Sequence, residues 1–241
     1  MEKEIINYPI IEALCEFQFL SDQPWDLTIP GLIYEQVKNE FSAKKQQTGI
    51  GIGFQAKGGI EQKIQMTPRI QFLRPDGSAL IQIGPNVLII NQLKPYPKWE
   101  NFKPLILDKL EIYRQVSNPK GFKRILLRYI NRFEFSGEKI ELRDYFNYYP
   151  NIPPGIPQIH GPFNVRIEFS YREGRDRLMM TLGTAIPDKP GIIPLVFDII
   201  YVLALPHTIP LDQASDWLQI AHDEVNKTFN TSITEKCKAL F

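Results

Sequence analysis

The chain has 241 residues, 43% hydrophobic and 23% charged, with a formal net charge of +1. That is ordinary globular composition, ample for one sizeable core, without the basic excess through which phosphate-binding proteins gain affinity; nucleic acid is therefore a disfavoured partner, with a local basic face left open. Two cysteines at opposite ends, Cys15 and Cys237, argue against a disulfide scaffold.

The start, Met1-Glu2-Lys3-Glu4, has no signal-peptide pattern, and the longest apolar run, residues 192–205, is broken by Pro194 and Asp198 and too short to span a membrane. The expected setting is the cytoplasm, with no membrane association and no cofactor.

Residues 11–19 alternate, Ile11, Ala13, Cys15, Phe17 and Phe19 on one face and Glu12, Glu16 and Gln18 on the other, which predicts a half-buried strand. Thr28-Ile29-Pro30 reads as a capped helix start, and Ile33, Val37 and Phe41 continue as its apolar stripe. Residues 48–59 hold five glycines among little periodicity, which predicts a weak strand or a mobile loop. A meander follows, with strands at 69–73, 79–83 and 87–91 and turns at Pro75-Asp76-Gly77-Ser78 and Gly84-Pro85-Asn86.

Trp99, Phe102, Ile106, Leu110 and Tyr113 mark a helix over 98–116, in which Pro104 fits only near the first turn or at a bend. Residues 122–135 form the longest predicted strand, apolar on both faces, and therefore central and packed on both sides over part of its length. A tyrosine- and proline-rich stretch, 142–162, opens with a short helical turn and continues as an ordered loop. Strands at 163–171, 177–185 and 192–205 lead to a final long helix over 211–230, and Ser232-Ile233-Thr234-Glu235 reads as a capping box for a last short helix.

The order strand, helix, strands, long helix occurs twice, in halves of about 1–121 and 122–241. The expected architecture is a single α+β domain built from a duplicated β-α-β-β-β-α unit, a curved antiparallel sheet with two long helices packed on one face. It shares that layout with TATA-binding-protein-like and helix-grip folds, an analogy of shape that carries no function.

Three segments carry a resemblance: Pro9-Ile10-Ile11-Glu12-Ala13-Leu14-Cys15-Glu16-Phe17-Gln18-Phe19, Leu127-Arg128-Tyr129-Ile130-Asn131-Arg132, and Ala221 to Phe229 with Ser232-Ile233-Thr234 after it. In order and spacing they resemble a sporadically distributed bacterial family of uncharacterised proteins whose members begin with a similar Pro-Ile-Ile-Glu-Ala signature. The resemblance covers essentially the whole chain. It implies no chemistry, only the association of such patchily distributed families with defence or mobile-element neighbourhoods.

No catalytic constellation emerges from the residues. His160, His207 and His222 have no metal-ligand spacing, and neither cysteine belongs to a Cys-x-x-Cys pair. His222-Asp223-Glu224 fans out around a helix, and His222 borders its apolar stripe, so a structural hydrogen bond is the expected role. Gly49-Ile50-Gly51-Ile52-Gly53 has no helix after it and is no phosphate cradle. Glu12 and Glu16 share the polar face of their strand about 13 Å apart at 3.3 Å per residue, wide for a shared reacting centre; pairing with Arg128, Arg132 or Arg166 is the expected use. Those arginines and glutamates could instead line a polar groove for an anionic ligand or a peptide. Tyr148 and Tyr149, in the proline loop, suit either protein recognition or a loop stapled to the core.

The function expected first is therefore a non-catalytic interaction module that binds a protein partner or itself through the sheet or the aromatic loop. The alternative is a small-molecule or enzymatic module with Glu12, Glu16, Arg128 and Arg132 around a pocket. Nucleic-acid binding on a concave sheet is a weaker third.

Overall fold

A computed structural model of the chain describes residues 8–53, 63–137, 139–157 and 161–241. Its nine strands form one antiparallel open sheet: β1 Ile10–Leu20, β2 Ala43–Gly53, β3 Lys63–Leu73, β4 Ala79–Gly84, β5 Val87–Leu93, β6 Gly121–Ser136, β7 Asn164–Tyr171, β8 Asp176–Thr184 and β9 Ile192–Leu203. The helices are α1 Ile29–Val37, α2 Trp99–Ser117, α3 Ala214–Ser232 and α4 Glu235–Lys238. The fold is α+β, and no helix among the described residues is long and apolar enough to cross a membrane.

The strand order is β2-β3-β4-β5-β1-β6-β9-β8-β7, with β1 and β6 at the centre. Their pairing sets Ala13 against Tyr129, Cys15 against Leu127 and Phe17 against Ile125. Cross-strand partners share a face, so these six, all buried, form one continuous apolar surface. Tyr113 of α2 stacks on Phe19 at 4.5 Å, Trp217 of α3 packs on Tyr201 at 5.7 Å, and Phe229 of α3 lies against Phe197 at 6.2 Å. Between the helices, Trp99 stacks on His222 with ring centroids 4.3 Å apart. The 142–157 stretch joins the same layer through Phe146 on Phe133 and a bridge from Phe146 to Ile233.

The structure departs from the sequence expectations at several points. Strands β2 and β3 are longer than expected, because a regular pairing from Ala43–Leu73 to Gly53–Lys63 carries the glycine- and polar-rich residues that show no periodicity; residues 54–59 of the expected loop lie outside the described residues. Thr28 caps nothing with its side chain, since its hydroxyl donates to Asp26 instead. The last capping residue is Thr234, whose Oγ1 accepts from the Cys237 N–H; Ser232 is still inside α3. Pro104 is the sixth residue of α2, beyond the first turn, in a helix that continues to Ser117.

Candidate functional site

The face opposite the helix contacts is set by the same alternation. Glu12, Leu14 and Glu16 of β1 stand beside Ile130, Arg128 and Leu126 of β6 and beside Leu93, Asn91 and Ile89 of β5. One strand further, Arg128 stands beside Ile200 of β9. At this centre the surface dips into a hollow of about 290 Å³. Its floor is apolar, from Leu14, Ile89, Leu126 and Ile200; its rim is polar, from Glu12, Glu16, Arg69, Gln82, Asn91 and Arg128.

The rim is held by two separate polar systems. Arg128 makes a bidentate pair with Asp198 of β9, Nε to Oδ1 and Nη2 to Oδ2, both at 2.8 Å. Burial alone would lower the Arg128 pKa; the hydrogen bonds and charge of Asp198, with the field of Glu12, outweigh it and hold the pKa above its ordinary value. On the other flank an amide ladder crosses four strands. Gln71 donates to Gln82 at 3.1 Å, Gln82 to Asn91 at 2.9 Å, and Asn91 to the Glu12 carboxylate at 2.6 Å. An ionised carboxylate can only accept, so Glu12 fixes the orientation of Asn91, and through it that of each amide behind. Glu16 receives one such bond, from Gln18 at 2.7 Å.

Of the expected site residues, Glu12, Glu16 and Arg128 therefore meet at one hollow, while the others lie elsewhere. The glutamates do not pair with the arginines as expected. Arg128 takes Asp198, which β9 brings alongside β6; Arg132 takes Glu134 at 3.0 Å and Asp188 at 2.7 Å; Arg166, on the far strand β7, reaches the Met179 sulfur at 2.9 Å. Tyr148 is half-buried against Phe197, in the helix layer, and ties the proline loop to the core; Tyr149 is 36% exposed beside it. His160 lies outside the described residues.

The residue that sequence reading missed is Asp176. Its carboxylate is fully buried at the start of β8 and accepts from Trp217 Nε1 at 3.0 Å, Tyr201 Oη at 3.3 Å and Arg175 at 2.6 Å. Only its position in the turn after Glu173-Gly174 could have drawn notice, since its partners come from three elements. Nearby in the same layer, Tyr129 Oη lies 3.1 Å from both Tyr96 Oη and His222 Nδ1. Burial is the main cause that lowers the His222 pKa to about 4, against the raising effect of Asp223 and Glu100. At neutral pH the ring is uncharged, and the hydrogen bond between Nδ1 and the Tyr129 hydroxyl, whose direction follows the tautomer, is the structural role its position on the helix implied.

Among the described residues no cluster of three or more histidine, cysteine or acidic side chains could hold a metal ion. Compared with known proteins, the chain matches no family model and no curated sequence.

Proposed function

We propose that this chain is a non-catalytic interaction module that binds a protein partner across the side of the sheet away from its helix contacts, centred on the hollow at Glu12, Arg69 and Arg128. The observation that supports this most directly is the character of that surface. Leu14, Ile130 and Ile200 are only half-buried at the middle of a nine-stranded sheet, interleaved with charged groups already fixed by Asp198 and the amide ladder. Fixed polar groups around an apolar floor lose little conformational freedom when a partner docks. The hollow, about 290 Å³, lies at the small end of the range for small-molecule sites and has room for one anchoring side chain. Its lining holds no histidine, cysteine, serine or lysine. Glu12, Glu16 and Asp198 interrupt the arginines, which counts against a nucleic-acid track.

The same reading takes the chain as a duplicated unit with both long helices on one face. What supports it is strand order: outward from β1 run β5, β4, β3 and β2, and outward from β6 run β9, β8 and β7. The three-segment resemblance directs the search for a partner to bacterial defence and mobile-element neighbourhoods.

The test is affinity purification from the native host with wild-type chain and Glu16→Arg side by side, with native mass spectrometry of the purified chain. A stoichiometric protein retained by the wild type and lost from an equally stable Glu16→Arg supports the reading. A lone chain carrying a small extra mass overturns it in favour of the small-molecule alternative at the same hollow.

A further inference from the structure

The two ends of the sheet are built differently. Natural sheets blunt their edge strands with charged side chains, above all lysine, with proline or with bulges, because a bare edge recruits another strand. Strand β2 at one end carries Lys44, Lys45 and three glycines. Strand β7 at the other end, Asn-Val-Arg-Ile-Glu-Phe-Ser-Tyr, has no lysine, proline or glycine, and no strand lies beyond it among the described residues. Its odd-numbered side chains are apolar, and Ile167 and Phe169 are each 41% exposed. Its even-numbered side chains are polar, with Arg166 and Glu168 both exposed.

Backbone phase says which residues of β7 offer free groups. The Phe163 carbonyl accepts from the Thr184 N–H of the neighbouring strand. In an antiparallel ladder hydrogen-bonding residues alternate, so 163, 165, 167, 169 and 171 turn their backbone groups inward to β8. Residues 164, 166, 168 and 170 turn theirs outward, to the edge.

We propose that the protein forms a two-fold symmetric dimer by antiparallel pairing of β7 with β7 of a second copy, with Ile167 on the dyad. In that register the outward-facing residues pair with each other, Arg166 with Glu168 and Asn164 with Ser170, each twice by symmetry. Ile167 meets Ile167 and Val165 meets Phe169 at the non-hydrogen-bonded positions, where side chains approach most closely. The backbone phase permits two neighbouring registers, but one sets Arg166 against Arg166 and the other Glu168 against Glu168, and like charges directly opposite are destabilising. A one-residue slip puts apolar against polar side chains throughout. Glu168 already accepts from Arg177 at 2.9 Å, so in the dimer its carboxylate lies between two guanidiniums, one from each copy.

The test combines register and charge. The wild-type chain should sediment at twice its 27.9 kDa mass. Ile167→Cys should oxidise to a disulfide-linked dimer and Ser170→Cys should not, because only a residue on the dyad faces itself; the native Cys15 and Cys237 are buried. Arg166→Glu and Glu168→Arg, both at exposed positions, should each raise the dimer dissociation constant at least tenfold when alone. Mixed with each other they should form a heterodimer again, since one strand is then acidic and the other basic. A wild-type chain that stays monomeric at about 100 µM, equal cross-linking at 167 and 170, or failure of the mixed pair to associate would each overturn the proposal.

Discussion

On the helix side of the sheet, Asp176 is fully buried and is met by Trp217, Tyr201 and Arg175; on the other side, Asp198 meets one guanidinium, Arg128, whose side chain stays 36% exposed. Both are carboxylates on neighbouring strands, β8 and β9, and both are hydrogen-bonded to arginine. The difference lies in what surrounds them. Asp176 gathers donors from three elements and locks α3 to the sheet. Asp198 and Glu12 spread their bonds sideways between strands, leaving the outer side of each group toward solvent. The first arrangement fixes the fold, and the second fixes a surface without covering it.

Breaking the inner arrangement should have the largest effect. Asp176→Ala leaves the Trp217 N–H, the Tyr201 hydroxyl and Arg175 without their acceptor, and the expected loss is about 3–5 kcal/mol of unfolding free energy by chemical denaturation. Asp176→Asn, which keeps one acceptor oxygen, should lose distinctly less. Equal losses for the two variants would mean that charge rather than hydrogen-bond geometry matters at this site.

On the outer side, Arg128→Ala should cost about 1–3 kcal/mol, the range for leaving a mostly buried polar group unsatisfied, because Asp198 is 14% exposed and accepts both of its charge-assisted bonds from Arg128. The double variant Arg128→Met with Asp198→Leu should recover most of that loss, since two apolar groups leave no orphaned charge. A double variant as unstable as the single one would show that the pair acts through packing.

The helix layer also predicts a pH dependence. His222 has a pKa of about 4 in the fold and 6.5 as its ordinary value. Between these values the unfolded chain binds a proton that the folded chain refuses, so stability present above pH 6.5 is lost as pH falls toward 4. His222→Phe keeps the stack on Trp99 and removes the titration, so the fall in stability between pH 7 and 5 should be smaller than in the wild type. Identical pH profiles would place the protonation elsewhere than His222; Glu40 acts only at more acid pH, below its ordinary value of 4.5. Burial raises the pKa of Glu40, but hydrogen bonds from Lys109 and Arg74 outweigh it and hold the carboxyl below its usual range.

What was legible in the sequence followed from local rules. Period-two alternation in residues 11–19 and 122–135 identified two strands, the second as central, and put Glu12 and Glu16 together on one face of the first. The apolar stripes of residues 98–116 and 211–230 identified α2 and α3. What was not legible depended on strand order. Arg128 pairs with Asp198 rather than with Glu12 because β9 lies on one flank of β6 and β1 on the other, and no local pattern states which flank supplies the acid. Asp176 was hidden for the same reason, as two of its three donors, Tyr201 and Trp217, come from distant parts of the chain. The amide ladder required four strands in register, and glutamine and asparagine give no periodic signal of their own.

The smallest expected effect on stability is also the sharpest test of the comparison. Glu16 sits on the rim of the hollow, half-buried, and its carboxylate accepts from Gln18 on the same strand, with no ion pair to another element among the described residues. Substitutions away from buried networks usually change stability by less than about 0.5 kcal/mol, so Glu16→Gln should unfold within that range of the wild type. Glu12→Gln, one pleat pair along the same strand, should cost more, because it removes the ionised acceptor that orients Asn91 and, through it, Gln82 and Gln71. If the outer face is a docking surface, the order reverses for binding: Glu16→Arg should abolish capture of the partner while the denaturation midpoint stays put. A variant that lost stability and binding together would make Glu16 part of the frame, and the separation of fixed frame from open surface would fail at its centre.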